Sequence, residues 1–294
     1  MIISADFELA WAWQYDKKAP NPYKLAIEQT SLARKNIPII LELCETYNIP
    51  VTWATVGHLF LEKCQLENGK VHPEIARLPY FENEFIKYND GDWFQNDPCT
   101  NWKKAPEWYA PDLIQEILNS EINHEIGCHT FSHIDCSDKI CSKEVFKSEI
   151  LACQNEAAKY GLQLKSFVHP GHTIGNLKAL AELGFTSFQT DYNNTLGYPV
   201  KHSNGLWELK RTMEFVYRPE WSIKYHIYRY KKIVDRVIKY NTVCNFWFHP
   251  SVNSIFINDI LPDIFEHIYN RRKILWSTTV KKYIDWLEKR NDKS

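Results

Sequence analysis

This chain has almost no net charge. Its 35 lysines and arginines meet 36 aspartates and glutamates, a formal balance of −1. Without a basic excess there is nothing to neutralise a run of phosphates, so nucleic acid is excluded as a principal partner. The short Arg271-Arg272-Lys273 run reads as a solvated helix end. No apolar run approaches the ~18 residues a membrane helix needs, so no membrane span is expected. The chain enters an apolar strand at Ile2 with no basic segment or cleavage site before it, which predicts a cytoplasmic protein. The eight cysteines form no compact framework. Cys136 and Cys141 have the wrong spacing for a zinc knuckle, so free thiols in a reducing compartment are expected. Repeats, low-complexity tracts and a dividing linker are also missing. That leaves one domain over residues 1–294.

What is present is a hydrophobic share of 44%, enough for a sizeable core. Strand-like runs fall near residues 2–7, 51–56, 125–129, 166–169, 186–190, 243–248 and 274–277. Helical patterns lie between most of them. Pro38 suits the first turn of a helix carrying Ile39, Ile40, Leu43 and Tyr47. Pro111 opens another helix, Ser142 caps one that Gly161 closes, and Gly184 ends one begun at Asn176. Thr278 or Thr279 caps the last. Such alternation predicts an α/β fold with a parallel sheet and crossover helices. The stretch from Gln65 to Ala110 is too long for an idle connection and is expected to form a lid or a substrate-binding wall.

Five of the apolar runs end on a residue that can ligate a metal or move a proton. In a parallel α/β barrel such ends share one face, where active sites lie. Asp6 and Glu8, at i and i+2 of an extended strand, project to the same side. Two acids there repel one another unless a cation or proton relieves them. His129 and His133 share a side if the strand turns straight into a helix. Two histidines and a carboxylate are a common donor set for a catalytic divalent metal. His249, before Pro250, is placed to donate a proton to a leaving group, with Asp191 to orient it and keep it protonated. His169 and His172, either side of Pro170-Gly171, are cleft candidates by position.

In this order, Asp6-Phe7-Glu8, His129-Thr130-Phe131-Ser132-His133, Phe167-Val168-His169-Pro170 and Phe248-His249-Pro250 resemble the polysaccharide deacetylase family, carbohydrate esterase family four. The segments Val51 to Gly57, Pro106 to Leu113 and His124 to Gly127 agree with it. The resemblance runs from residue 2 to about 287. It implies an irregular seven-stranded (β/α) barrel and a hydrolase that removes an N-acyl group, N-acetyl first, from an amino sugar. It also implies Asp6 as base, Glu8, His129 and His133 as ligands of a divalent ion (Zn2+ first; Co2+, Ni2+, Mn2+ or Fe2+ otherwise), and His249 as acid. Two departures stand out. Asp-Phe-Glu replaces the family's adjacent aspartates, and the turn 168–172 lacks the arginine that orients the base. His169, His172 or Arg211 could replace that arginine. Trp93, Trp102 and Trp108 are expected to stack on the sugar. With no export signal, a nucleotide- or lipid-linked precursor of surface glycan is the expected substrate. The alternatives are an N-deformylase, a cyclic-amide hydrolase, or an inactive glycan-binding protein.

Overall fold

The computed structural model describes residues 1–191 and 195–291. Its parallel strands are β1 (Ile2–Phe7), β2 (Thr52–Thr55), β3 (Glu125–Cys128), β4 (Ser166–Val168), β5 (Ser187–Asp191), β6 (Trp207–Arg211) and β7 (Asn245–Phe248). They neighbour one another in the order β7-β1-β2-β3-β4-β5-β6. Beyond Thr212 the run of β6 continues as Met213–Glu214, which pairs with β7. The two ends of the sheet are therefore consecutive stretches of one segment. Thr212 joins them: its N–H donates to the Asn245 carbonyl at 2.7 Å, and its Oγ1 accepts from Asn245 N at 3.0 Å. The sheet curls into an irregular (β/α) barrel, with Val200–Lys201 added antiparallel to β6.

Six of the expected strands are present, and the seventh lies elsewhere. Residues 274–277 form no strand. They lie beneath the barrel, where Thr278 N donates to Met1 O at 3.1 Å and the N-terminal ammonium donates to Trp276 O at 2.7 Å. The strand that completes the ring, β6, buries Trp207, Leu209 and Arg211 and leaves Glu208 and Lys210 less covered. Its period-two pattern carries too many charged residues to stand out as an apolar run.

The helices are α1 (Pro22–Tyr47), α2 (Pro111–Asn119), α3 (Lys143–Lys159), α4 (Leu177–Glu182), α5 (Ile223–Tyr240), α6 (Leu261–Tyr269) and α7 (Val280–Asn291). Contrary to expectation, α1 does not start at Pro38. Asn21 caps it by accepting from Lys24 N at 3.0 Å, and Pro22 takes the first turn. Its buried stripe of Ala26, Thr30, Ala33, Ile37, Ile40, Leu41 and Cys44 runs straight past Pro38. Burying Ile37, Ile40 and Leu41 contributes about 1.5–3 kcal/mol each. Together these outweigh the ~3 kcal/mol that an internal proline costs. Ser142 caps α3 as expected, accepting from Val145 N at 3.2 Å.

At the N-terminal end of the strands, the buried Glu125 accepts from Ser166 Oγ at 2.6 Å, Thr52 Oγ1 at 2.9 Å and Lys281 N at 2.9 Å. Thr52 Oγ1 also accepts from Val280 N at 2.9 Å. These bonds seat the start of α7 under the barrel, leaving the opposite mouth for chemistry. Between β2 and α2 the chain makes a long excursion with little regular structure beyond the Gly57–Phe60 turn and the hairpin Phe81–Glu82/Lys87–Tyr88. Ile75, Leu78, Phe81, Tyr88, Trp93 and Phe94 anchor it in the core.

Candidate active site

Strand register assembles the mouth. Ala5 pairs with Phe248 and Asp6 with Ala54, while Thr55 pairs with Cys128. The residues just beyond these pairs therefore reach one space. Glu8 Oε2 lies 3.1 Å from both His129 Nε2 and His133 Nε2, and Glu8 Oε1 lies 3.3 Å from His249 Nε2. Asp6 Oδ1 accepts from Arg211 Nη2 at 2.5 Å. Asp6, Glu8, His129, His133 and His249 thus meet around one pocket, and Arg211 joins them.

The route from His129 to His133 differs from the expected helical turn. Thr130 and His133 both take left-handed backbone conformations, each with φ of 60°, so a compact loop brings the two rings together. The buried Glu149 of α3 shapes it, accepting from Phe131 N at 2.8 Å, Ser132 N at 2.9 Å and Ser132 Oγ at 2.7 Å. Burial pushes the Glu149 carboxyl up to about 6, and those donors only partly offset it.

The donor set fits a divalent ion. His129 Nδ1 lies 2.8 Å from the Val168 carbonyl, which can only accept, so Nδ1 carries the hydrogen. In the neutral ring, the Nε2 lone pair then points at a Glu8 oxygen. Two acceptors at that separation repel unless a cation stands between them. The His133 Nδ1 has no hydrogen-bond partner. Zinc bonded to nitrogen and oxygen at about 2.0–2.2 Å has tetrahedral edges of about 3.3–3.6 Å, slightly longer than the 3.1 Å from Glu8 to each histidine.

Electrostatics divides the carboxylates and histidines by role. Burial works to raise Asp6, but Arg211 and then His129 hold it below its ordinary value. Burial also opposes charge on Glu8, yet His249 and His133 keep it well below the carboxylate range. Burial lowers His133, favouring the neutral ring that a ligand needs. For His249 burial acts to lower the pKa, but Glu8 and then Glu214 outweigh it and hold the imidazole at about 9.

Three expectations need correction. The carboxylate beside His249 Nδ1 is Glu214, at 3.5 Å, and not Asp191. Asp191 sits on the same cleft, 3.9 Å from His172 Nε2. Trp93 and Trp108 offer no stacking face, because both are buried in the core and Trp93 Nε1 donates to Ser132 O at 3.0 Å. Trp102 is half-buried against that core and off the cleft. The cleft, of about 370 Å³, is walled by Trp13, Phe85 and Trp247 instead, with His169 and His172 alongside. Of the three candidates to replace the missing arginine, Arg211 is the one that reaches Asp6. His169 is buried, with Nε2 3.1 Å from Gly175 O, and burial holds it at about 4.

Sequence reasoning also missed the polar layer beneath Asp6. The Gln189 Oε1 accepts from Asn245 Nδ2 at 2.8 Å, Ser4 Oγ at 3.1 Å and Arg211 Nε at 3.3 Å. The Arg211 guanidinium also lies over Trp247, 4.4 Å from the ring centre. Asn36 of α1 holds the turn after His249, donating to the carbonyls of Pro250 and Val252 at 2.8 Å each. Only the inward side of the strand-end positions marks such residues in sequence.

A model of the family described as polysaccharide deacetylase matches residues 23–188, more than half of the chain. The chain belongs to that family. No curated protein matches the sequence. Among solved structures, a protein from Mycobacterium smegmatis assigned as a polysaccharide deacetylase is similar at TM-score 0.64 with 12% identity, over 99% of this chain and 91% of its own. One from Pseudomonas aeruginosa PAO1, assigned likewise, gives 0.64 with 11% identity over 97% and 89%. The allantoinase PuuE gives 0.63 with 11% identity over 97% and 88%. At these identities the likeness concerns fold. The family match includes His129 and His133; Asp6 and Glu8 precede it and Arg211, Glu214 and His249 follow it, so these five enter through geometry.

Proposed function

We propose that this protein hydrolyses the N-acyl group, N-acetyl first, of an amino sugar. The observation that carries this reading is the meeting of an Asp6–Arg211 pair, a Glu8–His129–His133 triad and His249 on one cleft. Glu8, His129 and His133 would hold a divalent ion, with zinc the best match to two imidazoles and a carboxylate. When bound, such an ion supplies Lewis acidity that polarises an acyl oxygen and acidifies water. Asp6, kept ionised by Arg211, accepts the proton of the attacking water. Held protonated between Glu8 and Glu214, His249 gives its proton to the departing amine. Trp13, Phe85 and Trp247 form the apolar wall for the sugar face, and the 65–110 excursion contributes through Phe85 at its hairpin.

The expected cytoplasmic setting finds support in eight unbonded cysteines, six of them buried. Among the described residues no helix is long and apolar enough to cross a membrane. A nucleotide- or lipid-linked sugar precursor is therefore the substrate class to test first. Sugar nucleotides with N-acetyl and N-formyl groups would be incubated with zinc-loaded protein, measuring free amine, acetate and formate. Acetate with amine supports the reading, while formate or ring opening of a cyclic amide moves it to another amidase. Stoichiometric sugar binding without turnover would make the protein a glycan binder. The complete set of base, donors and acid argues against that outcome.

A further inference from the structure

A second cluster of metal-binding side chains lies away from the cleft, in the excursion after β2. Asp97 Oδ2 is 2.9 Å from His58 Nε2, 3.6 Å from His72 Nε2 and 3.4 Å from Cys64 Sγ. These donor atoms lie within 4.8 Å of one another. The geometry points to a second cation site here, a closed tetrahedral one of His58, Cys64, His72 and Asp97 that takes a zinc-class ion and fastens the excursion to the barrel.

Three observations carry it. The first is the His58 tautomer. Its Nδ1 lies 2.9 Å from the Trp108 carbonyl, so Nδ1 carries the hydrogen, and a neutral ring turns its Nε2 lone pair on the Asp97 carboxylate. This arrangement matches that of His129 at the mouth, and it is relieved by a cation between the two acceptors. The second is His72. Its side chain is only 10% exposed, and its Nε2 is buried without a hydrogen-bond partner while facing the same Asp97 oxygen. The third is shape. Zinc bonded to nitrogen or oxygen at about 2.0–2.2 Å and to sulfur at about 2.3 Å spans tetrahedral edges of roughly 3.3–3.7 Å. The His72 and Cys64 separations from Asp97, 3.6 and 3.4 Å, lie close to those edges, and His58 at 2.9 Å lies just inside them.

The surroundings suit a structural site. Tyr109 OH and Cys99 N donate to Asp97 Oδ1, both at 2.8 Å, leaving Oδ2 for the ion. Trp11, Tyr109 and Phe131 pack on His58, with Phe94 and Phe131 on His72. None of the four donors lines the catalytic cleft. A closed donor set is the mark of a structural rather than a catalytic ion. Joining His58 to Asp97 closes a loop across 39 positions, in a segment with few ladder bonds of its own, where cross-linking stabilises most. The site also backs the active-site turn, since His58 N donates to Phe131 O at 2.9 Å.

The test is metal content and spectrum rather than turnover. Protein loaded with Zn2+ and dialysed should retain two equivalents per chain by elemental mass spectrometry, His133→Ala one, and Cys64→Ser or His72→Gln one. With Co2+ in place of Zn2+, wild type and His133→Ala should both show thiolate-to-cobalt charge transfer, and Cys64→Ser should lose it. If the excursion variants fail to fold, wild type and His133→Ala still decide the matter. One equivalent in wild type that vanishes in His133→Ala overturns the proposal. So does a cobalt spectrum without a thiolate band, or a Cys64–Cys99 disulfide found in freshly purified protein.

Discussion

The two histidine–carboxylate clusters are built alike and finished differently. In each, one imidazole gives its Nδ1 hydrogen to a backbone carbonyl and turns Nε2 on a carboxylate, Glu8 in one case and Asp97 in the other. The mouth cluster has three donors and opens on a cleft. The excursion cluster has four, with aromatic rings packed on His58 and His72, and none of the four lines the cleft. An open coordination position is what separates a reacting ion from a fastening one. The contrast is one of surroundings: similar side chains face an open cleft in one case and a packed segment off the cleft in the other. On this view, changes at the mouth should move rate, and changes in the excursion should move stability.

The largest effect should come from His133→Ala or Glu8→Ala. Each should lower hydrolysis by more than ~10³-fold while barely changing Tm, with the mouth ion missing by elemental analysis. Retained activity after loss of that ion would break the comparison at its root. Next, His249→Asn should slow turnover by ~10²–10⁴-fold with metal content unchanged. Glu214→Gln should do less and shift the basic limb of the kcat/KM profile to lower pH, because the carboxylate helps hold His249 at about 9. A limb that stays in place would show that Glu214 does not act on the acid.

Arg211→Leu should cost roughly 10²-fold and move the acid limb upward. Without the guanidinium, burial raises Asp6, and the base protonates at a pH where wild type still works. Arg211→Lys should restore part of both effects; an unmoved limb with equal loss would reduce Arg211 to packing. The smallest effect concerns stability. His169 is buried and held at about 4, below its ordinary 6.5. Its contribution is complete above 6.5 and is lost as pH falls from 6.5 towards 4, by about 3 kcal/mol. His169→Asn should flatten the decline of Tm over that window.

Much of the barrel and mouth was legible in the sequence, because buried parallel strands read as apolar runs and Asp6, Glu8, His129, His133 and His249 stand at their ends. β6 was not legible, since Glu208, Lys210 and Arg211 broke the run. Glu214 and Gln189 were missed for a related reason: each becomes a site residue only when the ring closes. The excursion cluster could not be read from spacing at all. Its donors come from a turn and three irregular stretches, and no regular period links 58, 64, 72 and 97. The tryptophans misled because polar neighbours suggested exposure, while in the fold Trp93 and Trp108 are the anchors of the segment.

Thr212, where one strand run changes partner, has a consequence for side-chain parity. In an unbroken strand, positions 211 and 214 would look to opposite faces. Here the interruption resets the alternation, so the guanidinium meets Asp6 while the Glu214 carboxylate meets His249. Asp6 and His249 are thus both contacted from one joint in the wall. Removing a single residue there would turn one of the two contacting side chains outward even if every other strand kept its place.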